Sequence, residues 1–153
     1  MNGEESRPNE FVIFYLDEQL YGVDIQSVQI IERVKSIQRV PKAPRCVQGI
    51  MNLRGEIIPL INLRELFGLD PIEYGEETRI IIIKLEDTMT GIIVDSVREV
   101  VELSEEQIES VQNVQGKMNN NHILGVGKIE EGTIITLLHL KNIVEEAFEI
   151  EQI

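Results

Sequence analysis

Every apolar run in this chain is short. The longest unbroken one, Phe11 to Leu16, has six residues, and Gly, Pro, Asn, Asp or charged positions interrupt the others. A helical bundle needs apolar residues at i, i+3, i+4 and i+7 over ten or more positions, and only the C-terminal stretch supplies that pattern. What remains is a succession of short strands. The aliphatic residues are mostly β-branched, 24 Ile and 14 Val against 13 Leu, which stiffens χ1 and suits a pleated surface. Ile80 to Ile83 falls far below the roughly 20 residues that span a bilayer, so no membrane insertion is expected.

Phe11 to Leu16 and Leu20 to Val23 flank Asp17-Glu18-Gln19, which predicts a hairpin with a three-residue loop, and Gly22 is placed to supply a bulge. Ile25 to Ile31 reads as a short turn entering a strand. Val40-Pro41-Lys42-Ala43-Pro44 must be loop, because each proline lacks an N–H and restricts the residue before it. Two aliphatic runs between Val47 and Leu63 flank Arg54-Gly55, a tight reversal with Arg54 at its tip. Pro59 places its strand at an edge or a bulge. Leu63, Leu66 and Phe67 before Gly68 predict a helix of one or two turns.

The same order then recurs. Arg79 to Leu85 and Gly91 to Val94 form a hairpin around Glu86 to Thr90, and Val97 to Leu103 a further strand. Ser104 and Gln107 have capping-box spacing, Gln112 to Asn121 is polar loop, and His122 to Ile129 with Thr133 to Leu138 make a last hairpin. Leu140, Ile143, Val144, Ala147 and Phe148 lie on one face of an amphipathic helix over about 139–149. Gly55 to Arg64 overlies Gly132 to Lys141 at a shift of 77, and Val28 and Val97 follow Asp24 and Asp95 by similar steps.

These repeats predict a mainly β protein of two small barrels, each of roughly five strands, packed together because neither buries enough apolar surface alone. The first is expected over about 18–78 and the second over about 79–140, with strand 11–16 available to complete the second. Residues 1–10 are expected to form a flexible leader before a single domain over 11–150.

A formal charge of −13 repels phosphate backbones and anionic lipid, so neither nucleic acid nor a membrane surface is an expected partner. Arg33, Lys35, Arg39, Lys42 and Arg45 follow one another without an intervening acid, as a solvated loop face or as a docking patch for an acidic protein. The polar start lacks a signal-like apolar stretch, and the single Cys46 forms no internal disulfide, which together suggest a cytoplasmic protein.

Reactive groups are sparse. No metal-ligand spacing and no phosphate-binding glycine loop occurs, and Gly125-Val126-Gly127 lacks a third glycine. His122 and His139 read as surface or capping residues, and Cys46 as a structural thiol. No cofactor, metal or catalytic residue is expected. Binding suits such a chain better than turnover, although an enzyme built from scattered carboxylates stays as a distant alternative.

Val40 to Pro44 followed by Gly49-Ile50-Met51-Asn52-Leu53-Arg54-Gly55-Glu56-Ile57-Ile58-Pro59-Leu60-Ile61-Asn62-Leu63-Arg64 resembles the CheW family of chemotaxis coupling proteins. Gly91 to Val100 and Ile123 to Gly127 resemble two further signatures of that family, and the likeness runs from about Phe11 to Val144. The resemblance implies two SH3-like five-stranded barrels. It also implies a non-enzymatic scaffold, monomeric on its own, that binds the cytoplasmic tips of methyl-accepting chemoreceptors and the regulatory domain of the histidine kinase CheA. Related domains occur in CheA itself and in CheV adaptors, for whose extra domains 153 residues leave no room. A CheW-like adaptor of another receptor–kinase array, one not controlling motility, is the alternative.

By motif, the family's receptor groove maps onto Val28, Gly49, Arg54, Val97 and Val100, and its kinase contact onto Ile30, Glu32 and Arg79. Many relatives carry an acid where this chain has Ile30, so either Glu32 takes that role or the contact is more apolar here. Each residue also has a plainer reading. The valines suit a core, Gly49 suits a close backbone approach, and Arg54 is either a partner contact or a clamp on loop carbonyls between the barrels.

Overall fold

The structure, a computed structural model, describes residues 9–110, 120–130 and 132–149. Most of the expected leader and of the Gln112 to Asn121 loop, and residue 131 of the last turn, lie outside the described residues. Strand pairing begins at Asn9, inside the stretch expected to be leader.

The strands are β1 Asn9–Leu16, β2 Gln19–Asp24, β3 Val28–Arg33, β4 Val47–Leu53, β5 Glu56–Asn62, β6 Arg79–Leu85, β7 Thr88–Val94, β8 Ser96–Leu103, β9 Ile108–Glu109, β10 Ile123–Glu130 and β11 Thr133–Leu138. Helix α1 is Leu63–Leu66 and α2 is Leu140–Glu149. One sheet has the order β3-β6-β7-β5-β4, the other β8-β1-β2-β11-β10-β9. The second has six strands rather than five, because two-residue β9 pairs with β10.

The expected division at 78/79 does not match the sheets. Hairpin β6–β7 lies in the sheet of β3, β4 and β5, whereas hairpin β1–β2 joins β8, β10 and β11. The two sequence units are as read, but each lends its opening hairpin to the other's barrel. The physical reason lies at the links: only Asp95 separates β7 from β8, and only Ile25–Ser27 separate β2 from β3, too little chain to turn back into the same sheet, so the backbone runs on into its neighbour. The exchange preserves the repeat. Both sheets have corresponding strand orders, and each contains one parallel pair, β5 with β7 and β11 with β2.

Strand alternation divides the apolar residues among three cores. In β6, Ile80 and Ile82 fill the first barrel with Met51, Ile58 and Leu60, while Ile81 and Ile83 face the second barrel. In β1, Phe11 and Ile13 fill the second barrel with Leu103, Ile135 and Leu137, while Val12, Phe14 and Leu16 face the first. The shared central core also takes Ile143 and Ala147 of α2, as its amphipathic pattern predicts. The unbroken Ile80–Ile83 run is thus a strand buried on both faces.

Several turns differ in detail from expectation. The β1–β2 loop has two residues, Asp17 (φ 53°) and Glu18 (φ 70°), and Gln19 already pairs with Leu16. Gly22 pairs regularly with Ile13; a Cβ there would come within 3.0 Å of Ile13 and Leu137 side chains, so close packing rather than a bulge calls for glycine. Strand β7 takes in Thr88, Met89 and Thr90, leaving Glu86 (φ 57°) and Asp87 as the turn. Strand β5 is internal, yet Pro59 is tolerated because the β7 ladder starts only at Leu60. His139 caps α2, its Nδ1 accepting from Asn142 N–H at 3.2 Å. His122 is not a surface residue: it is buried beside Phe67, with Nε2 3.0 Å from Glu146 Oε1.

Candidate protein-binding seam

Strands β3 and β8 occupy equivalent edges of the two sheets. In β8, Val97 pairs with Phe14 and Val100 with Val12, both residues of the central core, and a register shift absorbs Arg98 between them. In a regular strand, residues three apart point to opposite faces; the bulge turns Val97 and Val100 to the same one. The same device recurs in β3. Val28 pairs with Ile83 and Ile31 with Ile81, again central-core residues, and the shift falls between Val28 and Ile30.

An i, i+3 aliphatic pair from each barrel therefore projects towards the space between the barrels, and the two pairs are related by a shift of 69 residues. Val28 and Val97 pack against the central core, whereas Ile31 and Val100 stay 37% and 48% exposed. Register and exposure put these four side chains on the inter-barrel faces of β3 and β8, an apolar candidate seam. Ile31 is the member that sequence reasoning missed. Its signal was the spacing Val28/Ile31 repeated in Val97/Val100, which becomes a shared face only once the bulges are known.

The other expected contacts lie apart from that rim. Gly49 is buried on β4, where a Cβ would sit 2.5 Å from the Gln38 carbonyl oxygen and 2.7 Å from Ile37 Cγ2. It admits the 37–38 segment and offers no side chain to a partner. Arg54 (φ 53°) and Gly55 (φ 89°) form the exposed β4–β5 tip, pinned by the Gly55 N–H donating to Asn52 Oδ1 at 3.0 Å. Among the described residues Arg54 has no hydrogen bond or ion pair, so the clamp reading does not apply to it. An open trough of about 310 Å³ lies near this hairpin, lined in part by Ile37, Ile50 and the 61%-exposed Ile57.

Ile30 and Glu32 lie on β3 opposite Ile82 and Ile80, whereas Arg79 of neighbouring β6 pairs with Arg33, so alternation turns it to the other face of the sheet. Ile30 packs on the first barrel's core, Glu32 lies 3.8 Å from Lys35 Nζ, and Arg79 Nη1 donates to the carbonyls of Glu76 (2.7 Å) and Thr78 (2.9 Å). Arg33, Lys35, Arg39, Lys42 and Arg45 are exposed on and after β3. Two phenols are held above their ordinary range. Burial raises Tyr21, assisted by the charge of Asp17, and burial raises Tyr74 against the opposing pull of Arg39 and a hydrogen bond with Asn62.

Among the described residues no group of His, Cys, Asp and Glu side chains could hold a metal ion, and no helix is long and apolar enough to cross a membrane. Gly125 and Gly127 serve packing, against the Glu109 carbonyl and Leu103 respectively. Cys46 is buried in the central core.

Paired barrels with aliphatic side chains on corresponding edge strands suit a domain that works by contact. Its family is identifiable. A model described as the CheW-like domain matches residues 10–148. The chain is 39% identical over 128 residues to the chemotaxis protein CheW of Treponema pallidum, covering 81% of this chain and 74% of that protein. It is 34% identical over 131 residues to the chemotaxis protein CheW of Klebsiella aerogenes, with 86% and 79% covered. The crystal structure of the scaffolding protein TtCheW from Thermoanaerobacter tengcongensis superimposes with a TM-score of 0.81 at 35% identity, covering 86% of this chain and 89% of that one. The chain belongs to the CheW-like family and is a chemotaxis adaptor.

Proposed function

We propose that this protein is a non-enzymatic, cytoplasmic scaffold, monomeric on its own, that couples methyl-accepting chemoreceptors to the histidine kinase CheA. The observation that carries the reading is the seam. Val28, Ile31, Val97 and Val100 offer aliphatic side chains from two independent edges, a surface suited to the apolar stripe of a helical receptor hairpin. The kinase's regulatory domain abuts the first barrel around Ile30, Glu32 and Arg79, flanked by exposed bases that suit an acidic partner. Arg54, a free cation at a hairpin tip, contacts the receptor. No bond is made or broken, and kinase output follows from how receptor motion alters the geometry of the complex.

Co-sedimentation with receptor signalling fragments and CheA tests this. The wild-type chain is expected to bring both down, and Val97→Asp to weaken receptor binding by about 2 kcal/mol or more, the range of an interface hot spot. Undiminished binding by a folded Val97→Asp protein would remove the seam from the interface. Recovery of a different kinase from lysate would assign the chain to another array.

A further inference from the structure

The clamp between the barrels is made by Arg64, ten positions beyond Arg54, and we propose that this clamp sets the geometry of the seam. Arg64 follows β5 in the first barrel's half of the molecule, with its side chain only 7% exposed. Its Nη1 lies 2.8 Å from Asp95 Oδ2, its Nη2 3.2 Å from Asp17 Oδ1, and its Nε donates to the Asp70 carbonyl at 2.7 Å. The Asp17 N–H donates to the same Asp95 Oδ2 at 2.8 Å, and the Asp95 N–H to the Tyr15 carbonyl at 3.1 Å. One guanidinium fork thus joins α1, the β1–β2 turn of the second barrel, and Asp95, the one-residue link by which the chain passes from β7 in one sheet to β8 in the other.

The apolar central core resists separation of the barrels but is non-directional, so it leaves small rotations inexpensive. Charge-assisted bonds with fixed fork geometry are directional. Asp95 stands two residues before Val97, so a pivot at the crossover swings Val97 and Val100 relative to Val28 and Ile31 on the other sheet. Arg64 is therefore a positioning residue: it touches no partner and holds the seam at the width a partner needs. This inference rests on the receptor-scaffold reading for its binding consequence, although the barrel orientation is measurable without any partner.

Spin labels on Cys introduced at exposed Glu56 and Ile134, one on each barrel, report the inter-barrel distance by pulsed electron resonance. The wild-type background is expected to give one narrow distribution, and Asp95→Ala to broaden or shift it. Asp17→Asn, at a 59%-exposed side chain whose positive φ asparagine tolerates, is the milder variant should Asp95→Ala fail to fold. If the competent orientation falls to about one-tenth of the population, receptor-fragment affinity falls about tenfold. Affinity for the kinase regulatory domain, which engages one barrel, should change less than about twofold on the same basis. An unchanged narrow distribution, retained receptor affinity, or equal loss for both partners overturns the proposal. A wild-type chain that ignores receptor fragments would refute the scaffold reading instead, while the distance distributions still decide whether Arg64 orients the barrels.

Discussion

Replacing Gly49 by alanine adds one methyl at the tightest backbone approach among the described glycines. The new Cβ would stand 2.5 Å from the Gln38 carbonyl oxygen and 2.7 Å from Ile37 Cγ2, and the carbonyl cannot swing aside freely. Gln38 and Ile50 exchange two backbone bonds there, Ile50 N–H to Gln38 O at 2.8 Å and Gln38 N–H to Ile50 O at 2.9 Å. Moving the segment away loses about 1 kcal/mol for each bond. Residual overpacking costs about 1–3 kcal/mol. The stiffer unfolded chain offsets about 0.4–1 kcal/mol of this. A net loss of about 2–5 kcal/mol corresponds to a melting point lower by roughly 4–20 °C for a domain of this size. Circular dichroism melts and urea titration measure it. A loss below about 0.5 kcal/mol, the range of an ordinary surface change, would refute the packing argument. The same protein, kept below its melting point, should bind receptor fragments as wild type does.

Arg54→Ala should leave stability within about 0.5 kcal/mol, since the tip arginine has no described polar partner, while weakening receptor binding; a large drop in melting temperature would restore the clamp reading. Phe14→Ala, at a fully buried ring stacked 5.9 Å from Tyr21 in the core shared by both barrels, should cost about 3–5 kcal/mol. Its unfolding should remain one transition followed identically by probes in either barrel, and two separable transitions would contradict a shared core.

The period-two pattern and the turn residues made most strands legible, because those signals are local. Sheet membership was not local: it turned on two short links, Asp95 between β7 and β8 and Ile25–Ser27 between β2 and β3, and a sequence reading that keeps neighbouring segments together misplaces β6–β7 and β2. The seam was half legible. Val28, Val97 and Val100 could be singled out by resemblance, but the bulges that bring Val100 and Ile31 to the seam face are set by pairing with β1 and β6. The arginines show the same limit. Arg54 and Arg64 each follow an Asn-Leu pair, and only tertiary context leaves one at a hairpin tip and buries the other between two carboxylates.

Methyl-resolved magnetic resonance of the chain titrated with a receptor signalling fragment tests the seam most directly. The largest shifts and line broadening are expected at Val28, Ile31, Val97 and Val100 together, with Ile134 and Leu124 on the second barrel little changed. Perturbations confined to one barrel, or clustered at Leu124 and Ile134 with those four methyl-bearing residues silent, would contradict it.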